Sequence, residues 1–247
     1  MPDQTNPKVA LVTGASRGIG AAIATRLAKD GFTVIVNYAG NSAEAEKLAA
    51  SIEDAGGRAL TAQADVADPA AVARMWDAAE AAFGGVDVLV NNAGIMKLAT
   101  IAEGDDALFD SQIAINLKGP RNTMKLAATR LREGGRIVNL SSSVVGLYQP
   151  TYGVYAATKA GVEAMTHVLA KELRGRNITV NAIAPGPTAT ALFLDGKPQS
   201  VVDNLMKLAP LERLGQPEDI ANAVAFLAGP DGAWINGQVI RANGGII

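Results

Sequence analysis

Thr13-Gly14-Ala15-Ser16-Arg17-Gly18-Ile19-Gly20 is the stretch that decides the fold. The apolar run Val9–Val12 precedes it, and Ile23 and Leu27 recur at helical spacing in Ile19–Lys29 behind it. This order is strand, glycine-rich turn, helix. The glycines let the backbone approach a pyrophosphate and the sheet, and the helix start supplies unpaired N–H groups and the positive end of a dipole. A plain strand–helix turn is the alternative, and the surrounding strand and helix favour nucleotide binding over it. The spacing is not GxGxxG, and no Gly-Lys-Ser/Thr follows to make a P-loop.

Outward from the turn, short β-branched runs alternate with longer Ala-rich ones. Strands are predicted at Val9–Val12, Thr33–Asn37, Arg58–Gln63, Val86–Val90, Arg136–Leu140, Ile178–Ile183 and Gln238–Arg241. Helices are predicted at Ser42–Ala55, with Ser42 as N-cap, and at Asp106–Leu131, Tyr152–Leu173 and Pro217–Leu227. Another opens at Asp68-Pro69, an N-cap followed by proline at the first helical position, and runs to about Phe83. Such alternation means βαβ crossovers, an α/β chain and a parallel sheet. It runs nearly end to end, so residues 1–247 read as a single domain. Only Pro185–Pro210 breaks the rhythm, with an apolar patch at Leu192–Leu194, and its 188–208 segment reads as a lid over substrate.

Composition excludes several classes. Lys+Arg is 22 against Asp+Glu 24, a net charge of −2 and no excess of cations for nucleic acid. With no cysteine there is no disulfide framework, thiol catalysis or cysteine metal site. The single histidine, His167, sits mid-helix beside Val168 and Leu169 and reads as structural, and no residue cluster has metal-ligand spacing. Apolar residues make up 49% and aromatics 4%, which suits packed helices on a parallel sheet. No run reaches about 18 apolar residues, so no membrane span is predicted. Met1–Lys8 is polar with two prolines, unlike a secretory signal, and the cytoplasm is the expected location. Trp76 and Trp234 read as packing residues. Asp105-Asp106 reads as a complement to a helix dipole.

The nucleotide preference reads as NADP(H). An NAD site places Asp or Glu about 20 residues after the glycines, on the ribose 2′-hydroxyl. Here Asn37 stands there, followed by Tyr38, so no carboxylate repels a 2′-phosphate. Arg17 inside the turn can pair with that phosphate, and Ser42 can donate to it. Glu44 and Glu46 lie close by and must face away. Gly14, Ser16, Arg17, Gly18, Ile19 and Gly20 are the candidate contacts within the turn itself.

A second constellation carries the chemistry. Tyr155 and Lys159 share a helix face, and Ser141, Ser142 and Ser143 follow the fifth strand at its C-terminal end, where ligands bind in open parallel sheets. Tyrosine can donate a proton to a carbonyl oxygen as hydride reaches carbon, or act as base in reverse. Its ordinary pKa is about 10. A neighbouring Lys ammonium is expected to lower it, and a cationic nicotinamide to lower it further. Ser142 can polarise the substrate oxygen.

At this point the chain resembles the short-chain dehydrogenase/reductase family. The matches are Thr13–Gly20 for TGxxxGxG, Asp65-Val66, Asn91-Asn92-Ala93-Gly94 for NNAG, Asn116, Ser142, Tyr155-Ala156-Ala157-Thr158-Lys159 and Pro185-Gly186. The resemblance implies a Rossmann-type, doubly wound parallel sheet of seven strands, order 3-2-1-4-5-6-7, with helices on both faces. It implies Asp65 and Val66 beside the adenine and Asn91, Ala93 and Gly94 along the cofactor ribose. Lys159 would hold the nicotinamide ribose and tune Tyr155. Asn116 would hold a water linking Lys159 to solvent. Pro185, Gly186, Thr188 and, less directly, Thr190 would touch the nicotinamide end. It also implies a homo-oligomer, tetramer or dimer, built through helices 106–131 and 152–173. The serine counts from Asn139 and Tyr155 select Ser142, whereas the position of Val144-Val145-Gly146 selects Ser143.

The leading reading is an NADPH-dependent reductase of a small ketone or aldehyde. Thr13–Gly20 and Gly237-Gln238-Val239…Gly244-Gly245 are also similar to 3-oxoacyl-acyl-carrier-protein reductases, whose acidic partner needs a basic patch. Arg130, Arg132, Arg174 and Arg176 are its candidates, or else cations answering helix C-termini. A non-catalytic NADP-binding scaffold and a physiological oxidation of a secondary alcohol are the remaining alternatives. Ile95–Ala99, Val144–Tyr152 and 188–208 are expected to shape the substrate pocket, with Leu192, Phe193 and Leu194 as an apolar wall or an oligomer face.

Overall fold

The structure is a computed structural model that describes residues 7–247. Most of the reading of Met1–Lys8 therefore lies outside the described residues. Seven strands form one parallel sheet in the order β3-β2-β1-β4-β5-β6-β7. They are β1 Val9–Val12, β2 Thr33–Tyr38, β3 Arg58–Gln63, β4 Val88–Asn91, β5 Arg136–Leu140, β6 Thr179–Pro185 and β7 Val239–Ala242.

Both faces are covered, and strand alternation shows how. Ala10, Val12, Val34, Val36, Val90 and Ile183 pack with Ile23 and Leu27 of helix α1 (Gly18–Lys29), with Ile52 of α2 (Ser42–Asp54), and with the late helix Pro217–Ala228. Their neighbours Val9, Leu11, Ile35, Leu89 and Ile137 face the other way. There they meet Trp76 of α3 (Pro69–Phe83) and the helices spanning Gly119–Arg130 and Gly153–Glu172. A strand buried on both sides is apolar at every residue rather than alternating, which is why these runs are continuous in the sequence.

Helix boundaries follow local chemistry. Asp68 caps α3 by accepting from Ala70 N, Pro69 takes the first turn, and Gly84 ends the helix at φ +74°. At α2 the cap is Asn41, accepting from Glu44 N, and Ser42 is already the first helical residue. The predicted helix Asp106–Leu131 is interrupted. It is α4 (Asp106–Gln112), a π-helical segment Ile113–Lys118, and α5 (Gly119–Arg130). π-Turns inside α-helices concentrate at functional sites, and this one carries Asn116. After β5 come the short α6 (Val144–Leu147) and the long α7 (Gly153–Glu172). The rhythm-breaking segment after β6 forms α8 (Ala191–Leu194) and α9 (Gln199–Leu208), ahead of α10 (Pro217–Ala228).

Candidate active site

A cavity of about 600 Å³ runs along the C-terminal edge of the sheet, across the point where strand order reverses between β1 and β4. Its first end is the glycine turn. Gly14 has φ +59°, and a Cβ there would stand 2.8 Å from Ala93 Cα. A Cβ on Gly20 would collide with Asn92 Nδ2 and Gly14 O. No side chain caps the start of α1 and no acid sits in its first turn, so its free N–H groups and positive dipole end are offered to an anion. This cradle fits a dinucleotide pyrophosphate.

The predicted contacts divide here. Gly14, Ser16, Arg17, Gly18, Ile19, Gly20, Tyr38, Asp65, Val66, Ala93, Gly94, Pro185, Gly186, Thr188 and Thr190 all line the cavity. Asn37 reaches it too, but its side chain turns inward. The amide nitrogen donates to Ala62 O and Ala64 O, both at 3.1 Å, and the oxygen accepts from Gly14 N at 3.1 Å. Asn37 is a clamp joining β2, β3 and the glycine turn at the edge of the cavity. Ser42 lies outside the wall, whereas its neighbour Asn41 lines it. Glu44 and Glu46 are exposed and outside the wall, as the NADP reading required.

Asn91 is also absent from the wall. It is buried, donating to Asn139 Oδ1 at 2.8 Å and accepting from Thr123 Oγ1 at 2.6 Å. Asn92 is the residue that holds the turn, donating to Thr13 O and Gly14 O at 2.9 Å each. Sequence reasoning overlooked it. The signal was the Asn-Asn pair itself, because successive strand residues face opposite sides.

The second end of the cavity is built by the loops after β4, β5 and β6. Of the three serines, Ser141 donates to Glu163 Oε1 at 2.6 Å, and Ser143 donates to Ala184 O while accepting from Asn243 Nδ2. Ser142 alone keeps its hydroxyl proton uncommitted, accepting from Val144 N at 3.4 Å, and it eases ionisation of the neighbouring Tyr155 phenol. Tyr155 and Tyr152 line the wall together, rings edge-on with centroids 6.4 Å apart. Lys159 is buried beneath, donating to Leu140 O at 2.8 Å with its nitrogen 5.7 Å from the Tyr155 ring centre. Asn116 pins Ile95, accepting from its N–H and donating to its carbonyl at 2.8 Å each. Its side chain thereby fixes the loop that passes next to Lys159.

The electrostatics differ from expectation. Burial pushes Tyr155 up to about 12, against the smaller opposing pull of Ser142, and Tyr152 adds to the rise. Burial pushes Lys159 down to about 8. No lowering of Tyr155 by Lys159 appears here: desolvation raises the phenol, Ser142 alone opposes it, and the same burial weakens the ammonium. Tyr155 stands as a neutral phenol.

Other expectations are settled by position. Arg130 pairs with Asp77 and Glu80, Arg132 with Asp87, and Arg176 donates to Ala128 O and Leu131 O at the end of α5. Arg132 and Arg176 anchor the loops entering β5 and β6, at the sheet edge opposite the cavity, and Arg174 is exposed at that same end after α7, so the four form no patch beside the cavity. Trp76 is buried, but Trp234 is 99% exposed, so its reading as a packing residue is corrected. His167 is exposed, with Nδ1 2.9 Å from Gly237 O, a structural contact to the loop before β7. Among the described residues no metal-binding cluster occurs, and no helix is long and apolar enough to cross a membrane.

A family model described as enoyl-(acyl carrier protein) reductase matches residues 14–247. An Arabidopsis thaliana protein named NADPH-dependent aldehyde reductase-like protein, chloroplastic, is 45% identical over 97% of this chain and 94% of its own length. The 3-oxoacyl-acyl-carrier-protein reductase of Staphylococcus aureus is 43% identical, covering 97% of this chain and 98% of the relative. Among solved structures, a short-chain dehydrogenase from Burkholderia cenocepacia in complex with NADP superposes with a TM-score of 0.93 at 38% identity, covering 99% of each chain.

Proposed function

The chain belongs to the short-chain dehydrogenase/reductase family, and from that premise we propose that it is an NADPH-dependent reductase of ketone or aldehyde carbonyls. The observation that carries this reading is the convergence of Ser142, Tyr155 and Lys159 at the far end of the cavity that begins in the glycine turn. The first end holds NADPH, with Gly14, Gly18 and Gly20 admitting the pyrophosphate and Arg17 facing the 2′-phosphate. When bound, the nicotinamide supplies hydride. The chain's own residues do the rest. Ser142 donates to the carbonyl oxygen and holds it beside Tyr155. Tyr155 delivers the proton to that oxygen as the carbon is reduced, a step its neutral phenol is poised for. Lys159 lies under Tyr155 on the same helix face and steadies the tyrosinate that remains until a proton returns.

Residues 188–208 act as a lid. Thr190 caps α8, and its methyl would lie 3.5 Å from a Cβ on Gly18, which joins the lid's root to the glycine turn. The reading extends to a homo-oligomer through helices 106–131 and 152–173, where Phe109 and Val168 are exposed, and to action in the cytoplasm. A 3-oxoacyl thioester is the second substrate reading, supported by the likeness to the Staphylococcus aureus reductase.

Purified protein assayed for NADPH consumption, with NADH in parallel, tests this against an acetoacetyl thioester, simple ketones, diketones and aldehydes. Turnover with NADPH is the expected result. Preference for the thioester selects the second reading, and a preference for NADH overturns the assignment of Arg17. Tight NADPH binding without any turnover returns the chain to a scaffold role.

A further inference from the structure

The cavity wall is uneven in charge. Among its lining residues only Arg17, Asp65 and Lys159 carry charged side chains. Arg17 and Asp65 stand at the glycine-turn end. Lys159 lies in the floor with its ammonium directed to Leu140 O. Beyond Tyr155 the wall is apolar, formed by Met96, Leu147, Leu192, Phe193, Leu208 and Ile246. Its polar members there, Ser142, Gln149 and Tyr152, are neutral. Tyr152 stays so because burial raises its pKa.

Cations near this end point elsewhere. Lys197 folds onto Phe193, its nitrogen 4.5 Å above the ring and bonded to the Phe193 carbonyl. Lys97 and Lys207 are exposed and outside the wall, and so is Arg241, whose guanidinium lies beside Gly146. Of the four arginines proposed to meet an anionic carrier, Arg130, Arg132 and Arg176 are engaged away from the cavity, and Arg174 is exposed after the C-terminal end of α7.

Resting on the carbonyl-reductase reading, we propose that this end of the cavity selects by charge: it takes neutral carbonyl compounds with apolar substituents and rejects those that bear a carboxylate or phosphate. An anionic group entering there leaves its hydration shell and finds no cation to pair with. A neutral ester or alkyl group of similar size loses little and gains contact with the leucine, methionine and phenylalanine wall. The wall thus sets the substrate class, while Ser142 and Tyr155 set the reaction.

Matched pairs with nearly the same skeleton test this with NADPH near neutral pH. They are ethyl levulinate against levulinate, ethyl acetoacetate against acetoacetate, and methyl 4-formylbenzoate against 4-formylbenzoate. The neutral member is expected to exceed its acid by about 100-fold or more in kcat/KM. Leu192→Lys and Leu208→Lys each put an ammonium at a half-exposed wall position that tolerates it, and each is expected to raise the acid-to-ester ratio about 10-fold. Two positions are used so that one misfolded variant does not decide the matter. Acids turned over as well as their esters by the unaltered protein, or a ratio unmoved in two folded lysine variants, would overturn the proposal. Failure of every neutral compound overturns the carbonyl-reductase reading and the proposal with it, a result distinct from acids and esters reacting alike.

Discussion

At the glycine-turn end the cavity is walled largely by backbone: Gly14 against Ala93, Gly20 against the Gly14 carbonyl, and the open N-terminus of α1. At the Tyr155 end the wall is side chains, drawn from the loops after β4, β5 and β6, the lid and Ile246. Backbone walls leave no room to vary, since a single Cβ on Gly14 would stand 2.8 Å from Ala93 Cα. Side-chain walls can change size and polarity without moving the sheet. A family can therefore keep one cofactor cradle and attach many substrate pockets to it.

Breaking the chemical end alone gives the largest effect. Tyr155→Phe removes the proton donor while leaving the first end intact. We expect kcat to fall by about 1,000-fold with the Kd for NADPH within about twofold, measured by steady-state kinetics and fluorescence titration. Loss of NADPH binding in that variant would mean the two ends are not separable.

The cradle breaks through its clamp. Asn37→Asp replaces an amide that donates to Ala62 O and Ala64 O with a buried carboxylate facing two carbonyls. A loss of about 3 kcal/mol or more in denaturant unfolding is expected, rather than a clean switch to NADH. A stable variant that prefers NADH would restore Asn37 to the ribose-end role that the sequence suggested.

Arg17 sharpens the comparison at lower cost. It is exposed, so Arg17→Ala should weaken NADPH by about 10-fold while barely touching NADH. Equal losses for the two nucleotides would place Arg17 on the pyrophosphate instead.

The smallest effect is on the pH profile. Tyr155, held at about 12, keeps its proton throughout the neutral range. Reduction at saturating substrate should therefore hold level from about pH 6 to pH 7 and fall about threefold through pH 8, as Lys159, at about 8, loses the charge that steadies the tyrosinate. The reverse oxidation needs tyrosinate and should rise steadily with pH. A reduction rate that stays level through pH 8 would show that the Lys159 charge does not govern the step.

The parts legible in the sequence were those set by neighbours in the chain. Val9–Val12, the glycine turn and Asp68-Pro69 declare themselves within a few residues, because strand burial, φ freedom and capping are local. The Tyr155–Lys159 pair was legible because helical spacing puts both on one face. The interruption at Ile113–Lys118 was not, since the apolar pattern of 106–131 reads through a π-turn as through an α-helix. Nor were α8 and α9, buried in a Pro- and Gly-punctuated segment.

By itself, then, the sequence determined the α/β architecture with its parallel sheet, the edge of that sheet where ligands bind, and the residue types that meet there, while the doubly wound strand order came with the family resemblance. Tertiary structure alone decided where each polar side chain spends its hydrogen bonds. It turned Asn37 inward, set Asn92 rather than Asn91 against the glycine turn, freed Ser142 and engaged Ser141 and Ser143. It also tied the arginines to carboxylates and carbonyls far from the cavity and raised Tyr155 above its ordinary range. The physical reason is common to all of these. Burial and hydrogen-bond partnership depend on residues tens of positions away, such as Ala62 for Asn37 and Ala184 for Ser143, and no short window of sequence contains both members of the pair.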